Sequence, residues 1–374
     1  MPDPTEPGPS PRGAADGPRL TGRLAALALA ALLWLTPGAG RAQAAPSPVA
    51  PPSAASTCPP VAQAPTPEQL KAAVARARDH GFLWRISKDG HASWLYGTLH
   101  VGKLDWALPG PQVGRALRAA DTVALELDPT DPAVVRQLGE LSRAPDAMPP
   151  LPAALGERIA RQVAAACLPP QVLAGQHPLM QAMTLTVLEA RRDGLDAGYA
   201  QEVVLGGLAR AAAKPLVSLE TPQVQMAALL PADPALAVQM TEQTIEQLEQ
   251  GKARVTLRRM ARAWELGRLD DLAHYEEWCE CVDSADDRAL LHRLNDERNP
   301  QLAEGIAALH AQGKSVFAAV GALHMTGPAS LPILMARLGF TVERVAFAAA
   351  GNPPASAPIG TSTRTPRAPP SAGS

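Results

Sequence analysis

The sequence has few aromatic residues and almost no excess charge. Aromatic residues make up 3% of the 374 residues, and the formal net charge is −2 at pH 7. Nucleic-acid-binding surfaces combine clustered positive charge with rings for stacking, so we expect no nucleic-acid partner. The chain also lacks a glycine-rich phosphate loop, an H-E-x-x-H motif and a G-x-S-x-G motif. Nucleotide enzymes, zincins and serine hydrolases therefore have no support from motifs.

The sequence also lacks an apolar run long enough to span a bilayer, which takes about 20 residues. Its longest such run is residues 24–35, which follows Arg19 and Arg23 and precedes an A-x-A site at 42–44. This order is typical of a secretory signal peptide, which we place at residues 1–44. An uncleaved anchor is the alternative. We predict an exported bacterial protein, periplasmic or secreted, with no stable membrane span after cleavage.

Cysteine is scarce, with four residues in the chain: Cys58, Cys167, Cys279 and Cys281. An even number of cysteines in an exported protein favours disulfides. Because a single residue separates Cys279 from Cys281, we expect a bridge between them to be strained, and one of them to pair with Cys58 or Cys167. A C-x-C metal site is less favoured, since no third sulfur or histidine follows at a useful spacing.

Proline, by contrast, is abundant, and its 39 residues are concentrated towards the two ends of the chain. Residues 45–66 and 350–374 are rich in Pro, Ala and Ser, and such segments bury too little apolar surface to offset the entropy of ordering. We predict a disordered linker at 45–66 and a disordered tail at 350–374. Residues 67–349 then form the folded domain.

Short apolar strands lie near both ends of this domain, with helical periodicity between them from about residue 130 to 312. The first two predicted strands are joined by Asp89-Gly90, a good hairpin signal. We predict an α/β fold with a central mixed sheet, flanking helices and a large helical cap inserted between two G-x-x-H strand ends. The predicted strands are Phe82–Ile86, Ala92–Gly97, Thr122–Leu127, Pro215–Glu220, Ser315–Val320 and Thr341–Val345.

The most informative pattern is a strand followed by G-x-L-H, which occurs twice. It covers residues 94–102 (WLYGTLHVG) and 317–327 (FAAVGALHMTG), with Gly97 and His100 in the first copy and Gly321 and His324 in the second. Each copy leads through a helix to another strand, which is compatible with a duplicated β-α-β unit. Such a unit would place both histidines at the carboxyl edge of the sheet, where α/β proteins bind ligands.

Two imidazoles at one edge suit a transition metal if a carboxylate joins them. Glu126 and Asp128 follow the strand at Thr122–Leu127, and Asp196 and Glu220 are further candidates. Taken singly, each of these residues is as easily structural: a histidine at a strand end is often simply hydrogen-bonded, and Asp196 could cap a helix.

Six short motifs in the chain, taken in order, resemble the TraB/PrgY/GumN family, to which the animal Tiki proteins are distantly related. They cover about residues 82–345, and the sequence departs from the family pattern at residues 300–302 (PQL). The motifs are FLWRIS…WLYGTLHVG, VALELD, GLDAGYAQEV, PLVSLETPQVQ, NDERN and AAVGALHMTG.

The resemblance implies an α/β fold related to ChaN and erythromycin-esterase-like proteins, and a metal-dependent hydrolase with peptidase activity. The family's two G-x-x-H motifs map onto Gly97–His100 and Gly321–His324. Its strand-end acid maps onto Glu126, its R-N pair onto Arg298-Asn299, and its G-[IL]-D motif onto residues 194–196.

We therefore predict an exported metal-dependent hydrolase, most simply a peptidase, that acts on a peptide or small-molecule substrate. His100, His324 and Glu126 would hold a divalent Mn, Co or Zn ion, with Asp196 in reserve. Glu126 could instead be the general base, and Arg298 would stabilise developing negative charge. Two alternatives stay open: a non-catalytic protein that binds a metal, haem or small ligand in the same crevice, and an esterase-type hydrolase on the same fold.

Overall fold

The structure is a computed structural model of the chain, and it describes residues 58–146, 148–282 and 284–347. The predicted signal peptide, the linker before residue 58 and the tail at 350–374 lie outside the described residues. The strands are β1 (Phe82–Lys88), β2 (His91–Thr98), β3 (Thr122–Leu125), β4 (Leu216–Ser218), β5 (Val316–Gly321) and β6 (Thr341–Val345). The helices are α1 (Pro67–Arg76), α2 (Pro111–Ala119), α3 (Pro132–Leu141), α4 (Ala153–Ala165), α5 (Pro178–Glu189), α6 (Gln201–Ala211), α7 (Pro222–Leu229), α8 (Pro234–Glu249), α9 (Lys252–Glu265), α10 (Leu269–Ala273), α11 (Tyr275–Trp278), α12 (Ala285–Leu294), α13 (Asn299–Ala311) and α14 (Leu331–Arg337).

The predicted hairpin is confirmed as β1 and β2, which pair antiparallel with Lys88 opposite His91. Asp89 and Gly90 form the two-residue turn with φ angles of 51° and 83°. Left-handed φ values at both turn positions match the right-handed twist of the two strands.

One six-stranded mixed sheet runs through the domain, in the order β4-β3-β5-β2-β1-β6. β5 lies parallel to both β3 and β2, β4 lies parallel to β3, and β1 is antiparallel to β2 and β6. Every residue of β5 is buried, as expected for a continuously apolar strand inside a sheet that is covered on both faces. The predicted α/β class with a mixed sheet is confirmed.

The prediction of a duplicated β-α-β unit is only half correct. β2 and β5, which carry the two G-x-L-H motifs, are adjacent and parallel, with Thr98 opposite Gly321. The strands that follow them are not equivalent: β3 pairs with β5, whereas β6 pairs with β1 at the far edge of the sheet. Both histidine segments still leave the sheet at the same edge.

The segment between β3 and β5 contains more than a helical cap. β4 joins the sheet beside β3, and α6 packs against both of these strands. Helices α4, α5 and α8 pack around a second, smaller apolar cluster of their own. No helix in the described part of the chain is long and apolar enough to cross a membrane.

Residues 58–66, here called the N-terminal strap, fall in the predicted disordered linker at 45–66. They have defined contacts instead. Ala62 N donates to Asp196 Oδ2 at 3.1 Å, and Gln63 exchanges two hydrogen bonds with the Tyr199 hydroxyl. Thr66 then caps α1 with a capping box. Composition alone missed the strap because its hydrogen-bond partners lie far along the chain.

The disulfide prediction is wrong in its pairing. Cys58 bonds to Cys167, and Cys279 bonds to Cys281. Glu280 has a left-handed φ of 51°, and this turn brings the Cα atoms of Cys279 and Cys281 to 5.1 Å, which is within the usual disulfide range. The C-x-C pair is thus a disulfide in this structure.

The Cys58–Cys167 bond closes a loop with a sequence separation of 109 and ties the strap to the end of α4. We expect the double variant Cys58→Ser/Cys167→Ser to lose about 2 kcal/mol of unfolding free energy, because a long loop is no longer constrained in the unfolded chain. Urea unfolding of the two oxidised proteins measures the difference. Equal unfolding midpoints would show that the Cys58–Cys167 disulfide contributes nothing to global stability.

Candidate functional site

Three predicted site residues meet where adjacent parallel strands end. His100 follows β2, Glu126 follows β3 directly, and His324 lies in a 3-10 turn at Ala322–Met325 directly after β5. All three side chains are buried. Because β5 lies between β3 and β2, the three residues leave the sheet side by side at its carboxyl edge.

Gly321, the last residue of β5, lies at the centre of this group. A Cβ atom placed on Gly321 would be 3.2 Å from Glu126 Oε1 and 3.5 Å from both His100 Nε2 and His324 Cδ2. The Gly321 N–H also donates to Glu126 Oε1 at 2.7 Å. The second motif glycine therefore leaves room for the three side chains to converge.

Gly97, the first motif glycine, has a different environment. A Cβ atom there would lie 3.2 Å from the Phe82 ring and 3.3 Å from Met325 Cγ. Its carbonyl accepts a 2.7 Å hydrogen bond from the indole N–H of Trp264. The two glycines share a sequence motif, but Gly97 serves the core packing and Gly321 serves the site.

Glu126 is a buried carboxylate held by three donors. Besides Gly321 N–H, Arg298 Nη2 lies 2.7 Å and Gln225 Nε2 3.4 Å from Oε2. Burial alone would raise the pKa of Glu126, but the charge of Arg298, followed by the two histidines and the Gly321 hydrogen bond, outweighs it and lowers the pKa to about 2. Glu126 is thus anionic at neutral pH.

Arg298 is buried between two carboxylates. Its Nε donates to Glu220 Oε1 at 2.8 Å, its Nη2 contacts both Glu126 and Glu220, and its Nη1 donates to the Leu294 carbonyl at 2.9 Å. Burial raises the pKa of Glu220, and the charge of Glu126 adds to the rise while Arg298 opposes it. Most of the N–H donors of Arg298 are thus already engaged by protein groups. Its predicted role, to stabilise negative charge that develops on a substrate, stays a prediction.

His324 is oriented by the residue that follows Arg298. Its Nδ1 lies 2.6 Å from Asn299 Oδ1, and Asn299 Nδ2 donates to the Ala329 carbonyl at 2.9 Å, which fixes the amide. This network assigns the proton to Nδ1 and leaves the lone pair on Nε2, 4.0 Å from Glu126 Oε2. Burial lowers the pKa of His324 to about 3, so the ring is neutral.

His100 faces a second carboxyl group that the sequence did not reveal as a site residue. Its Nδ1 lies 3.2 Å from Glu202 Oε1, and the Thr98 hydroxyl donates to the same oxygen. Burial lowers the pKa of His100, but the negative charge of the neighbouring Glu202 outweighs it and raises that pKa. In the sequence, Glu202 stood out only as part of the motif GLDAGYAQEV.

Two other predicted carboxylates lie outside this cluster. Asp196 accepts from Arg191 Nε at 2.6 Å and from Gly198 N at 2.8 Å, so it caps the 3-10 turn that follows it. Asp128 pairs with Arg210 at 2.5 Å. As a metal ligand Asp196 stays a prediction, and one that would require its carboxylate to leave Arg191.

The donor chemistry of the cluster fits a divalent transition-metal ion. Both histidines direct Nδ1 towards an outer partner and Nε2 towards the site, the arrangement that metal-ligating histidines usually show, and Glu126 is anionic. Among the described residues, however, no group of three or more His, Cys, Asp or Glu side chains has the spacing of an assembled metal site. Binding through all three donors would require Glu126 Oε2 to exchange Arg298 for the ion.

A comparison with known families matches the TraB/PrgY/gumN family model to residues 82–344. The match starts at the first residue of β1 and ends one residue before the end of β6, so it includes the sheet up to its last residue and every residue of the cluster. No curated protein and no solved structure matches the chain significantly.

Proposed function

This chain belongs to the TraB/PrgY/gumN family, as its motifs predicted, and we propose on that basis that it is an exported, metal-dependent hydrolase of peptides. The observation that carries the proposal is the convergence of His100 Nε2, Glu126 Oε1 and the His324 ring around Gly321. Two histidine imidazoles and an anionic carboxylate at one edge of a sheet form a common ligand set for hydrolytic metal ions.

His100, His324 and Glu126 would hold the ion, with Mn²⁺, Co²⁺ and Zn²⁺ all compatible with these donors. A bound ion would act as a Lewis acid and lower the pKa of a coordinated water. Asn299 keeps His324 in the tautomer whose Nε2 is free, and burial keeps that ring neutral.

Glu126 has a second role open to it. Once its Oε2 leaves Arg298, the carboxylate can accept a proton from an attacking water, and Arg298 then faces the negative charge that develops on the substrate. Glu220 would retain Arg298 during this exchange, because it shares two contacts with the guanidinium.

The peptide substrate and the export of the protein rest on other observations. The substrate class comes from the family resemblance, with a small-molecule substrate as the alternative. Export is supported by the two disulfides, which are typical of an oxidising compartment, and by the signal-peptide pattern at 1–44.

The test is a metal and activity measurement on the purified protein. We expect elemental analysis to find a bound divalent ion, peptide-library hydrolysis to stop with a chelator, and added Mn²⁺, Co²⁺ or Zn²⁺ to restore it. His100→Gln and His324→Gln should lose both metal and hydrolysis. His292→Gln, at an exposed histidine, is the matched control and should keep both. A metal-free wild type whose hydrolysis survives both site substitutions would disprove the proposal.

A second candidate is an esterase-type hydrolase that uses the same residues without a metal. It is favoured by the Arg298–Glu126 ion pair, which already engages the carboxylate. It is also favoured by the distances within the cluster, because among the described residues no group of side chains has the spacing of an assembled metal site. For this function we expect ester hydrolysis that persists with a chelator and disappears in His100→Gln. Metal or haem binding without turnover of peptides or esters would instead favour a binding protein.

A further inference from the structure

Two buried polar atoms beside the site lack a hydrogen-bond partner: His100 Nδ1 and Glu202 Oε2. Their residues are only 8% and 4% exposed. Nδ1 lies 3.2 Å from Glu202 Oε1, yet it makes no hydrogen bond, so the approach is off axis. Leaving a buried polar group unpaired is unfavourable, and a small rotation of either side chain would pair the imidazole N–H with the carboxyl group.

Glu202 is held next to His100 by its position in the fold. It lies in the first turn of α6, where a negative charge is favoured by the helix dipole. The Thr98 hydroxyl donates to Glu202 Oε1, and neighbouring Gln201 accepts from Leu99 N at 2.9 Å. The start of α6 thus clamps the end of β2 immediately before His100.

We propose that Glu202 is a positioning residue that accepts the Nδ1–H of His100 and thereby turns the Nε2 lone pair towards Gly321. This rests on the proposed function only in treating His100 as a site residue. The two site histidines would then be oriented in the same way by different groups, His324 by the amide of Asn299 and His100 by a carboxylate.

A carboxylate partner makes an imidazole a stronger ligand as well as fixing its tautomer. Loss of such a partner typically lowers metal affinity by about 10–100-fold. Glu202→Met, which removes the acceptor at similar size, should show this loss for Mn²⁺, Co²⁺ or Zn²⁺ in a chelator competition. Glu202→Gln keeps an oxygen acceptor and should lie between Glu202→Met and the wild type.

The deciding measurement does not depend on metal or on activity. The chain has eight histidines, and long-range ¹H–¹⁵N spectra of ¹⁵N-histidine-labelled, metal-free protein at pH 9 report the tautomer of each neutral ring. The His100 signal is assigned by its absence in His100→Gln. We expect Nδ1–H for His100 in the wild type and a mixture with Nε2–H in Glu202→Met. Gln201→Met, which removes only the clamp on Leu99, should keep the wild-type tautomer.

An Nε2–H tautomer in the wild type, or an unchanged tautomer in Glu202→Met, would overturn the assignment of Glu202. If Glu202→Met does not fold, the ¹H chemical shift of the His100 Nδ1–H in Glu202→Gln decides. We expect it to move upfield, because the carboxylate acceptor has become a weaker amide acceptor. An unchanged shift overturns the proposal. A wild type that binds no metal and hydrolyses nothing would disprove the hydrolase proposal alone, because the tautomer is still measured.

Discussion

Replacing Arg298 by methionine is expected to lower the free energy of unfolding by about 3–5 kcal/mol, the usual cost of removing one partner of a buried ion pair. The substitution leaves Glu126 and Glu220 buried without their shared cation. Urea unfolding at pH 8 measures the loss. In the variant, burial and mutual repulsion should raise the pKa of the two carboxyls above their unfolded values, so the variant should regain stability as the pH falls from 8 to 5.

Two further variants separate charge burial from the general loss of an arginine. Arg158→Met removes a more exposed ion pair to Glu249 between α4 and α8, which should cost less than about 1 kcal/mol. Adding Glu220→Gln to Arg298→Met should recover part of the loss, because one buried charge is removed. Equal losses for Arg158→Met and Arg298→Met would mean that the buried pairing does not stabilise the domain.

Gly321→Ala is expected to reduce hydrolysis by about 10-fold, because the added methyl group displaces the site side chains by a fraction of the ~1 Å that costs about 100-fold at reacting groups. The φ of Gly321 is −47°, so alanine is not strained by the backbone. Its methyl group would instead press on Glu126 Oε1 at 3.2 Å and lie against both imidazoles. Metal affinity should fall together with the hydrolysis rate, while the unfolding midpoint stays close to that of the wild type.

Gly97→Ala is the matched comparison, because it changes the same motif position in the first copy. Its methyl group would meet Phe82, Met325 and Ala322 in the core, so it should lower stability and leave the metal affinity of the folded protein nearly unchanged. Gly207→Ala on α6, where no atom lies within 4 Å of the added carbon, controls for the substitution itself. Full hydrolysis by Gly321→Ala would contradict the site centre proposed here.

The sequence predicted the strand ends that carry the candidate site residues because their signal is local. A buried strand that ends in glycine or in an acid can be recognised within ten residues, and the carboxyl ends of parallel strands meet at one edge. His100, Glu126 and His324 were found in this way. Glu202 and Gln225 were missed, because both lie on helices whose approach to the site is set only by tertiary packing.

Other differences have equally specific causes. Glu280 takes a left-handed conformation that residues other than glycine seldom adopt, so the Cys279–Cys281 bond was not expected. In the sequence, β6 follows the second G-x-L-H motif as β3 follows the first. Strand order, however, depends on which edge of the sheet is free, and β6 pairs with the free edge of β1. Periodicity identifies a strand and its buried face, but it does not identify the neighbouring strand.

The central position of β5 has a consequence for how the protein can be made. Synthesis from the amino terminus produces β1 to β4 long before β5, and until then β2 and β3 each have an open edge that other chains can pair with. Pairing of Trp94 with Phe317 closes a very long loop, which makes this a slow step. Arg298, Gly321 and His324 belong to the same late segment, so the candidate site is assembled only after nearly all of the domain has been made.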